Sequence, residues 1–265
     1  MTAEDRVGPK LPDSLRLERD GEIAVLRISR PHKRNALDDA TILGIGEFFE
    51  ELPSWVRVVV LDAEGSHFCA GLDLSELRQR DTLEALQHSR MWHRVFDLVE
   101  HSPVPVVSVL RGAVIGGGLE LASATHVRVA ESSAFFALPE GQRGLFVGGG
   151  GSVRIPRLIG VSRMTDLMLT GRVLSGAEGH AAGLVQYLVE DDNGLKTALE
   201  LAHRMAQNAP MTNYAVLQAL PRIAESSPEA GLVFESFVAS ASTSSPEAQR
   251  RLAEFLAGRA PKVAR

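Results

Sequence analysis

The chain has 265 residues, of which 45% are hydrophobic and 23% charged, a balance typical of globular proteins that excludes collagen-like, low-complexity and disordered classes. The formal net charge of -5 provides no overall attraction for nucleic acid or for an anionic membrane. A single cysteine, Cys69, excludes an intrachain disulfide and paired-cysteine zinc sites.

We expect no targeting or membrane signal at the beginning of the chain. Residues 1–20 contain charges of both signs without an apolar centre, and no uncharged apolar run approaches the ~18 residues that a membrane span requires. We therefore expect a cytoplasmic protein with neither membrane nor nucleic-acid partners. Residues 1–13 are predicted to form a flexible N-terminal arm.

The first predicted elements are a β-hairpin and a helix. Residues 15–19 alternate apolar and polar side chains, Asp20 and Gly21 form a two-residue turn signal, and residues 22–29 alternate again. After Pro31, apolar residues recur at helical spacing, which predicts an amphipathic helix.

Strands then alternate with helices along the chain. Residues 56–61 and 104–110 are apolar, β-branched runs typical of strands buried on both faces, and a helical pattern over 83–98 lies between them. Residues 125–129 and 134–138 supply two more short strands. This alternation predicts an α/β fold with parallel strands joined by right-handed crossovers.

The last part of the chain is almost entirely helical in pattern. Pro210 and Pro221 are the predicted breaks. We therefore divide the chain into an α/β core over residues 14–195 and a C-terminal helical region over 196–265.

Several common catalytic signatures are missing from the sequence. It contains no GxxxxGK[ST], GxGxxG, GxSxG or HExxH, and its eight histidines have no metal-ligand spacing. Nucleotide hydrolysis, hydride transfer, elbow-type serine hydrolysis and zinc proteolysis are thereby disfavoured, and no metal site is predicted.

Two glycine-rich turns follow predicted buried strands, FCAGLDL at 68–74 and GAVIGGGLELA at 112–122. Glycine allows the backbone to approach a ligand closely, and a turn that leads into a helix leaves N–H groups unpaired, as an oxyanion site requires. Two carboxylates, Glu120 and Glu140, lie beside glycine-rich turns. Each alone is typical of a helix start or a solvated loop, but together these parts suit acid/base chemistry on a polarised carbonyl.

Five segments occur in order: RPHKRNAL at 30–37, HFCAGLDLSEL at 67–77, GAVIGGGLELA at 112–122, LPEGQRGLFVGGGGSVRIPRLIG at 138–160 and GRVLSGAEGHAAGLV at 171–185. Together they resemble the crotonase superfamily, the enoyl-CoA hydratase/isomerase family. The resemblance implies a crotonase-like (ClpP/crotonase) spiral of ββα units, with a C-terminal helical region that mediates trimer formation, commonly as a dimer of trimers.

The resemblance also implies the roles of the site residues. The backbone N–H groups of Leu72 and Gly117 would form an oxyanion hole for the thioester carbonyl. Glu120 would deprotonate the water that attacks the β-carbon, and Glu140 would deliver a proton to the α-carbon. The coenzyme A belongs to the acyl-CoA substrate, and no further cofactor is expected.

A second set of residues falls where family members contact coenzyme A. The basic members, which would meet the phosphates, are Arg30, Lys33 and Arg34. The backbone positions that would frame the nucleotide are Asn35 and Ala36, and the residues that would flank the adenine are Ala70 and Asp73. Lys262, near the C-terminus, would reach the ligand of a neighbouring subunit.

The sequence departs from the family pattern after the second glutamate. Glu140 is followed by Gly141, Gln142 and Arg143, where hydratases often carry an apolar stretch. Arg143 is interpreted in two ways, as one half of an ion pair that fixes the loop or as a sign of a polar acyl group.

The function predicted from these residues is that of an enoyl-CoA hydratase, which makes a 3-hydroxyacyl-CoA. A Δ3,Δ2-enoyl-CoA isomerase or a hydratase-lyase of the same fold is the nearest alternative, since its central proton transfer needs one carboxylate. A non-catalytic member that binds a CoA thioester or RNA is a second alternative. A hydrolase acting through Ser152 is a third, although no histidine partner can be named from the sequence.

Overall fold

The computed structural model describes residues 10–76 and 80–259. Lys262 and residues 1–9 of the predicted arm lie outside the described residues. The described end of the arm is fixed to the core, because the Pro12 carbonyl accepts a hydrogen bond from the Leu15 N–H and the Pro12 ring packs on Gly44.

The strands are β1 (Leu15–Asp20), β2 (Ile23–Ile28), β3 (Val58–Ala63), β4 (Val106–Leu110), β5 (Ala113–Ile115), β6 (Val127–Glu131), β7 (Phe135–Ala137), β8 (Leu174–Ser175) and β9 (Tyr187–Val189). Six of them form one sheet in the order β1-β2-β3-β4-β6-β9, in which the β1–β2 pair is antiparallel and the other pairs are parallel. The predicted hairpin and parallel sheet are confirmed.

The helices are α1 (Asp39–Glu50), α2 (Thr82–Glu100), α3 (Gly117–Ser123), α4 (Gly151–Ile159), α5 (Val161–Thr170), α6 (Gly176–Ala182), α7 (Gly194–Ala206), α8 (Pro210–Gln218), α9 (Leu220–Glu225), α10 (Pro228–Thr243) and α11 (Pro246–Leu256). Asp38 caps α1 by accepting the Thr41 N–H at 2.8 Å. The two predicted breaks fall at helix starts, since Pro210 is the first residue of α8 and Pro221 the second of α9.

The two faces of the large sheet belong to two separate hydrophobic clusters. Along β2, Ala24, Leu26 and Ile28 face the larger cluster, which contains side chains of α1, α2 and α3. Ile23 and Val25 face the opposite way, onto α7. This period-two alternation with apolar residues on both faces is what a sheet covered on both sides requires.

A smaller sheet in the order β5-β7-β8 positions the glycine-rich turns. Cys69, which precedes the first turn, forms a parallel bridge with Val114 of β5, and β5 leads through Gly116 into α3. Because Cys69 pairs in parallel with β5, the turn that follows Cys69 and the turn that follows β5 lie at the same end of this pair.

Several strand boundaries differ from the predictions by one or two residues, and two of these differences have a clear cause. The strand predicted over 134–138 ends at Ala137, and Glu140 lies in a short 3-10 helix, Pro139–Arg143, because Pro139 carries no N–H for strand pairing and has a φ suited to a first helical position. The strand predicted from residue 125 begins at Val127, since the Thr125 N–H and hydroxyl both donate to the Ala122 carbonyl at the end of α3.

The C-terminal helices divide into two groups. Ala198, Leu201 and Ala202 of α7 are buried against the sheet, so this helix is part of the core although it begins at the predicted start of the helical region. Helices α10 and α11 expose large apolar side chains, Leu232, Phe237 and Phe255 among them. Among the described residues, no helix combines the length and apolar character needed to cross a membrane.

Candidate active site

The two glycine-rich turns touch each other. An added Cβ on Gly71 would lie 2.9 Å from the Ile115 carbonyl oxygen and 3.5 Å from the Gly117 nitrogen. Gly71 also adopts φ +95°, a conformation that other residues rarely take. Glycine at this position therefore permits both the turn and the close approach to the neighbouring chain segment.

The backbone N–H groups of Leu72 and Gly117 face the same small region. The Leu72 nitrogen lies 3.6 Å from the position that a Cβ on Gly117 would take. Neither N–H donates a hydrogen bond to any acceptor in residues 10–76 or 80–259. Two adjacent backbone donors without acceptors are an arrangement suited to an oxyanion.

Tight packing fixes the start of α3. A Cβ on Gly117 would come within 2.7 Å of Cζ3 of Trp92, and one on Gly118 within 2.6 Å of the Cys69 carbonyl oxygen. Cys69 itself is fully buried, and burial raises the pKa of its thiol to about 12. Cys69 therefore serves as a small buried packing residue, since its thiol stays protonated at neutral pH.

Glu120 is held by the glycine loop that precedes α4. Only 3% of its surface is exposed, and its Oε1 accepts the N–H groups of Gly149 and Gly151, each at 2.8 Å. Burial raises the pKa of Glu120, while these backbone donors and the Arg154 guanidinium act in the opposite direction. The donors are oriented to stabilise the ionised carboxylate.

Glu140 has a different environment. It is half-buried, and its Oε2 is inaccessible to water and has no hydrogen-bond partner in the described part of the chain. Burial raises the pKa of Glu140, and the negative charge of Glu120 raises it further, with Arg143 among the opposing influences. The net effect moves Glu140 towards the protonated form relative to an ordinary carboxyl group.

Both glutamates line one cavity of about 410 Å³. The free N–H groups of Leu72 and Gly117 belong to residues of the same cavity wall, as does Ala70. Most of the remaining lining comes from one face of α2 and from the segment that follows Glu140. These lining residues are Ala85, His88, Ser89 and Trp92 of α2, and Arg143, Leu145, Phe146, Val147, Gly148 and Gly149 of the loop.

The sequence analysis missed the polar side chains that α2 places in this wall. His88 Nε2 lies 2.7 Å from Oδ1 of Asp39, the first residue of α1. Ser89 Oγ donates to the Gly148 carbonyl at 2.7 Å. The first pair is separated by 49 positions and the second by 59, so no local spacing could have revealed either contact.

Arg30 and Asp73, both predicted to contact coenzyme A, are engaged with each other. Arg30 Nη2 lies 2.7 Å from Asp73 Oδ2 and 3.0 Å from Asp38 Oδ2. Asp73 is buried, and the Ser75 backbone N–H and hydroxyl together with Arg30 hold its pKa well below the usual range, although burial opposes them. The pair ties the first glycine-rich turn to the segment before α1.

The other predicted coenzyme A residues lie in the same segment. Asn35 is fully buried at φ +55°, and its side-chain amide donates to the carbonyls of Glu64 and His67 at 2.7 Å each. Ala36 is buried, whereas Lys33 and Arg34 are exposed. Lys33 Nζ lies 3.7 Å from Asp73 Oδ1, whereas Arg34 has no ion-pair partner among the described residues and is therefore the cation most available to an anion.

A larger cavity of about 660 Å³ lies behind the glycine loop, and Ser152 lines it instead of the glutamate cavity. Metal-ligating atoms of Asp97, Glu100 and His101 come within 4.8 Å of one another there. His101 already pairs with Asp97 at 3.1 Å, and Glu100 with Arg154 at 2.5 Å. The cavity that Ser152 lines contains neither of the two glutamates nor the N–H groups of Leu72 and Gly117, so it does not support the alternative of a hydrolase acting through Ser152.

The family model described as enoyl-CoA hydratase/isomerase matches residues 18–264. The chain belongs to the enoyl-CoA hydratase/isomerase family. The resemblance stated from the five segments is thus confirmed, and the solved structures that it matches support the predicted crotonase-like α/β fold.

Similar proteins in this family include hydratases of different substrates. A putative enoyl-CoA hydratase from Rhodopseudomonas palustris is 54% identical, with a TM-score of 0.92 over 95% of this chain and 98% of that one. The short-chain-enoyl-CoA hydratase of Clostridium acetobutylicum is 33% identical over 83% of this chain and 85% of its own length. The mitochondrial methylglutaconyl-CoA hydratase of Mus musculus is 31% identical over 96% of this chain and 84% of its own length.

Proposed function

We propose that the protein is an enoyl-CoA hydratase that adds water across the α,β double bond of an enoyl-CoA thioester. The observation that carries this proposal is the presence of Glu120 and Glu140 in one cavity with the unpaired N–H groups of Leu72 and Gly117. Hydration needs a base for the water, an acid for the α-carbon and a site for negative charge on the thioester oxygen. The cavity contains one candidate for each task.

The contrasting environments of the two carboxylates support a division of labour. Glu120, with two backbone N–H donors on Oε1, is suited to remain ionised and to take a proton from water. Glu140, without a donor on Oε2, is suited to hold a proton and to release it to the α-carbon. The water oxygen thus becomes the 3-hydroxyl group, its proton goes to Glu120, and the proton of Glu140 becomes the new α-hydrogen.

The N–H groups of Leu72 and Gly117 would stabilise the enolate-like oxygen that forms between the two proton transfers. Backbone donors that are already oriented need no rearrangement as the charge develops, and each contributes about 3 kcal/mol in well-studied acyl reactions. Trp92 and Cys69 support this geometry, since both pack on the glycines at the start of α3.

Coenzyme A is proposed to lie along the segment from Arg30 to Ala36 and the first glycine-rich turn. Lys33 and Arg34 are the exposed cations there, while Arg30 and Asp73 would shape the segment through their mutual ion pair. The exposed apolar residues of α10 and α11 support a homotrimer or a dimer of trimers. A cytoplasmic location and the absence of a further cofactor remain predictions.

Isomerase chemistry is the competing proposal within the family. It moves one proton between two carbons and needs a single carboxylate in the cavity, so the second one would be dispensable. Similar proteins include an enoyl-CoA isomerase/hydratase, fer4 of Mycosarcoma maydis, at 32% identity over 74% of this chain and 75% of its own length. Dependence of turnover on both carboxylates is therefore the deciding property.

The first experiment follows the absorbance of the enoyl-thioester band when the protein is mixed with crotonyl-CoA, and then with longer and aromatic enoyl-CoAs. We expect the absorbance to fall in the wild type and to fall about 100-fold or more slowly with Glu140→Gln. Binding of acetyl-CoA serves as a control that the variant is folded. A constant absorbance with every substrate in the wild type, despite acetyl-CoA binding, would contradict hydration.

A further inference from the structure

The loop that binds Glu120 is held from its other side by two side chains. Arg154 Nη1 donates to the Gly149 carbonyl at 3.1 Å, and Ser89 Oγ donates to the Gly148 carbonyl at 2.7 Å. The N–H groups of Gly149 and Gly151 meanwhile point to Glu120. The orientation of these donors therefore depends on contacts behind the loop.

Arg154 is itself fixed in place. It lies in α4, is 8% exposed, and its Nε lies 2.5 Å from Oε2 of Glu100 at the end of α2. Gly150 adopts φ +96°, and an added Cβ there would overlap the Arg154 guanidinium. The glycine loop thus closes around this side chain, which a mere surface arginine would not require.

The guanidinium also places a positive charge behind the Glu120 carboxylate. Arg154 lowers the pKa of Glu120, together with the loop N–H groups, against the larger effect of burial. The cavity beside this carboxylate is also lined by Glu140, Arg143 and His88, and His93 of α2 lies beside Ser89, where Arg154 acts on it. Arg154 lies on the side of Glu120 opposite to the cavity that would hold substrate, since it lines the larger cavity.

We propose that Arg154, held by Glu100, is a positioning residue for Glu120: it fixes the glycine loop whose N–H groups bind the carboxylate and places a buried positive charge near that carboxylate. The inference rests on the proposed function for its kinetic consequences. Arg154 is not among the residues that line the substrate cavity, so it acts on the reaction through the groups that it contacts or faces, the glycine loop and Glu120.

The two members of the ion pair should act on Glu120 in opposite directions. Arg154→Met removes the positive charge that opposes the effect of burial on the Glu120 carboxylate. The pKa of Glu120 should therefore rise in this variant. Replacing Glu100 with Gln keeps an acceptor for Arg154 but removes the negative charge that offsets it, so the pKa of Glu120 should fall. A contact that served only folding would not give opposite signs.

The experiment measures kcat/KM for crotonyl-CoA against pH in the wild type, Arg154→Met, Glu100→Gln and Arg157→Met. Because Glu120 acts as a base, the acid limb should move to higher pH in Arg154→Met and to lower pH in Glu100→Gln. We also expect kcat to fall about tenfold or more in Arg154→Met with KM nearly unchanged, since a misplaced base affects the chemical step.

Arg157→Met is the matched control. Arg157 is on the same helix, but it is exposed and pairs with Glu225 at 2.8 Å, away from the glycine loop. Its profile and kcat should equal those of the wild type. Arg154→Lys should retain the acid limb of the wild type, because the charge remains, with a partial loss of kcat, because an amine lacks the planar fork that reaches both Glu100 and the Gly149 carbonyl.

A direct titration separates this inference from the proposed function. The 13C signal of the Glu120 carboxyl, assigned by its loss in Glu120→Gln, reports the same shifts without any turnover. A wild type that hydrates nothing would count against the hydratase proposal, while the titration would still decide the role of Arg154. An unchanged Glu120 titration, or shifts of the same sign in both variants, would overturn the inference. If Arg154→Met fails to fold, Glu100→Gln alone decides, and a Glu120 titration that is unchanged or moves to higher pH in this variant would overturn the inference.

Discussion

Glu120 and Glu140 are the same residue type in one cavity, but the chain segments that hold them are built differently. Glu120 lies in a helix whose residues are all buried, and two backbone N–H groups fix its carboxylate. Glu140 lies in a 3-10 helix without buried residues, flanked by an exposed loop. Backbone donors offset part of the cost of burying the first carboxylate, whereas Oε2 of the second has no donor among the described residues.

This difference shows how two equal side chains acquire different chemistry. Burial alone raises the pKa of each carboxyl group, so it cannot distinguish them. The distinction comes from the donors, which are abundant around Glu120 and missing at Oε2 of Glu140 in the described part of the chain. The proposed assignment of base and acid therefore rests on oriented backbone dipoles rather than on depth of burial.

The largest expected effect is the loss of either carboxylate. We expect Glu120→Gln and Glu140→Gln each to lower kcat for hydration by about 10²–10⁴-fold, the usual contribution of a general acid or base. The residual rate of Glu120→Gln should lack the acid limb of the pH profile, and that of Glu140→Gln the basic limb. Steady-state rates between pH 5 and 10 would measure both.

Full activity in Glu120→Gln would show that one carboxylate is enough for turnover, and it would favour the isomerase proposal. Retention of both limbs in either variant would show that the limbs belong to other groups. Binding of acetyl-CoA with wild-type affinity is the control for intact structure in both cases.

A smaller effect is expected from disturbing only the donors of Glu120. A Cβ on Gly149 would lie 2.9 Å from Cε2 of Phe96 and 3.3 Å from the Glu120 carboxyl, so Gly149→Ala should displace the loop and lower kcat by about tenfold. Gly148→Ala is the matched control, because its Cβ would meet only Ser89 Oγ at an ordinary 3.8 Å. Stopped-flow hydration of crotonyl-CoA would compare them, and equal rates in the two variants would contradict a role for the loop.

The smallest effect concerns the cation near Glu140. Arg143 lowers the pKa of this carboxyl, so Arg143→Gln should raise it further. Since Glu140 must be protonated to act as an acid, the basic limb of the kcat profile should move to higher pH, by about a few tenths of a unit because Arg143 is exposed and screened. The difference should disappear at about 1 M salt, and a shift to lower pH would contradict the assignment.

Much of the fold followed from local sequence patterns. The hairpin at Asp20 and Gly21, the buried strands and the helical C-terminal region are all present, because alternation, β-branched runs and helical spacing reflect burial that neighbouring residues share. The apolar pattern predicts a strand that continues to residue 138, but β7 ends at Ala137 because Pro139 starts a 3-10 helix. Such boundaries depend on single residues rather than on periodicity.

The sequence by itself determined the family, the two glutamates and the glycine turns, since these are residue identities at fixed spacing within ordered motifs. Only the tertiary structure decided how Glu120 and Glu140 differ, and it alone revealed the contacts of Asp39 with His88 and of Glu100 with Arg154. These pairs join residues 49 and 54 positions apart. The ionisation of a carboxyl group depends on the dipoles and charges within a few ångströms of it, and folding brings those together from segments that share no local pattern.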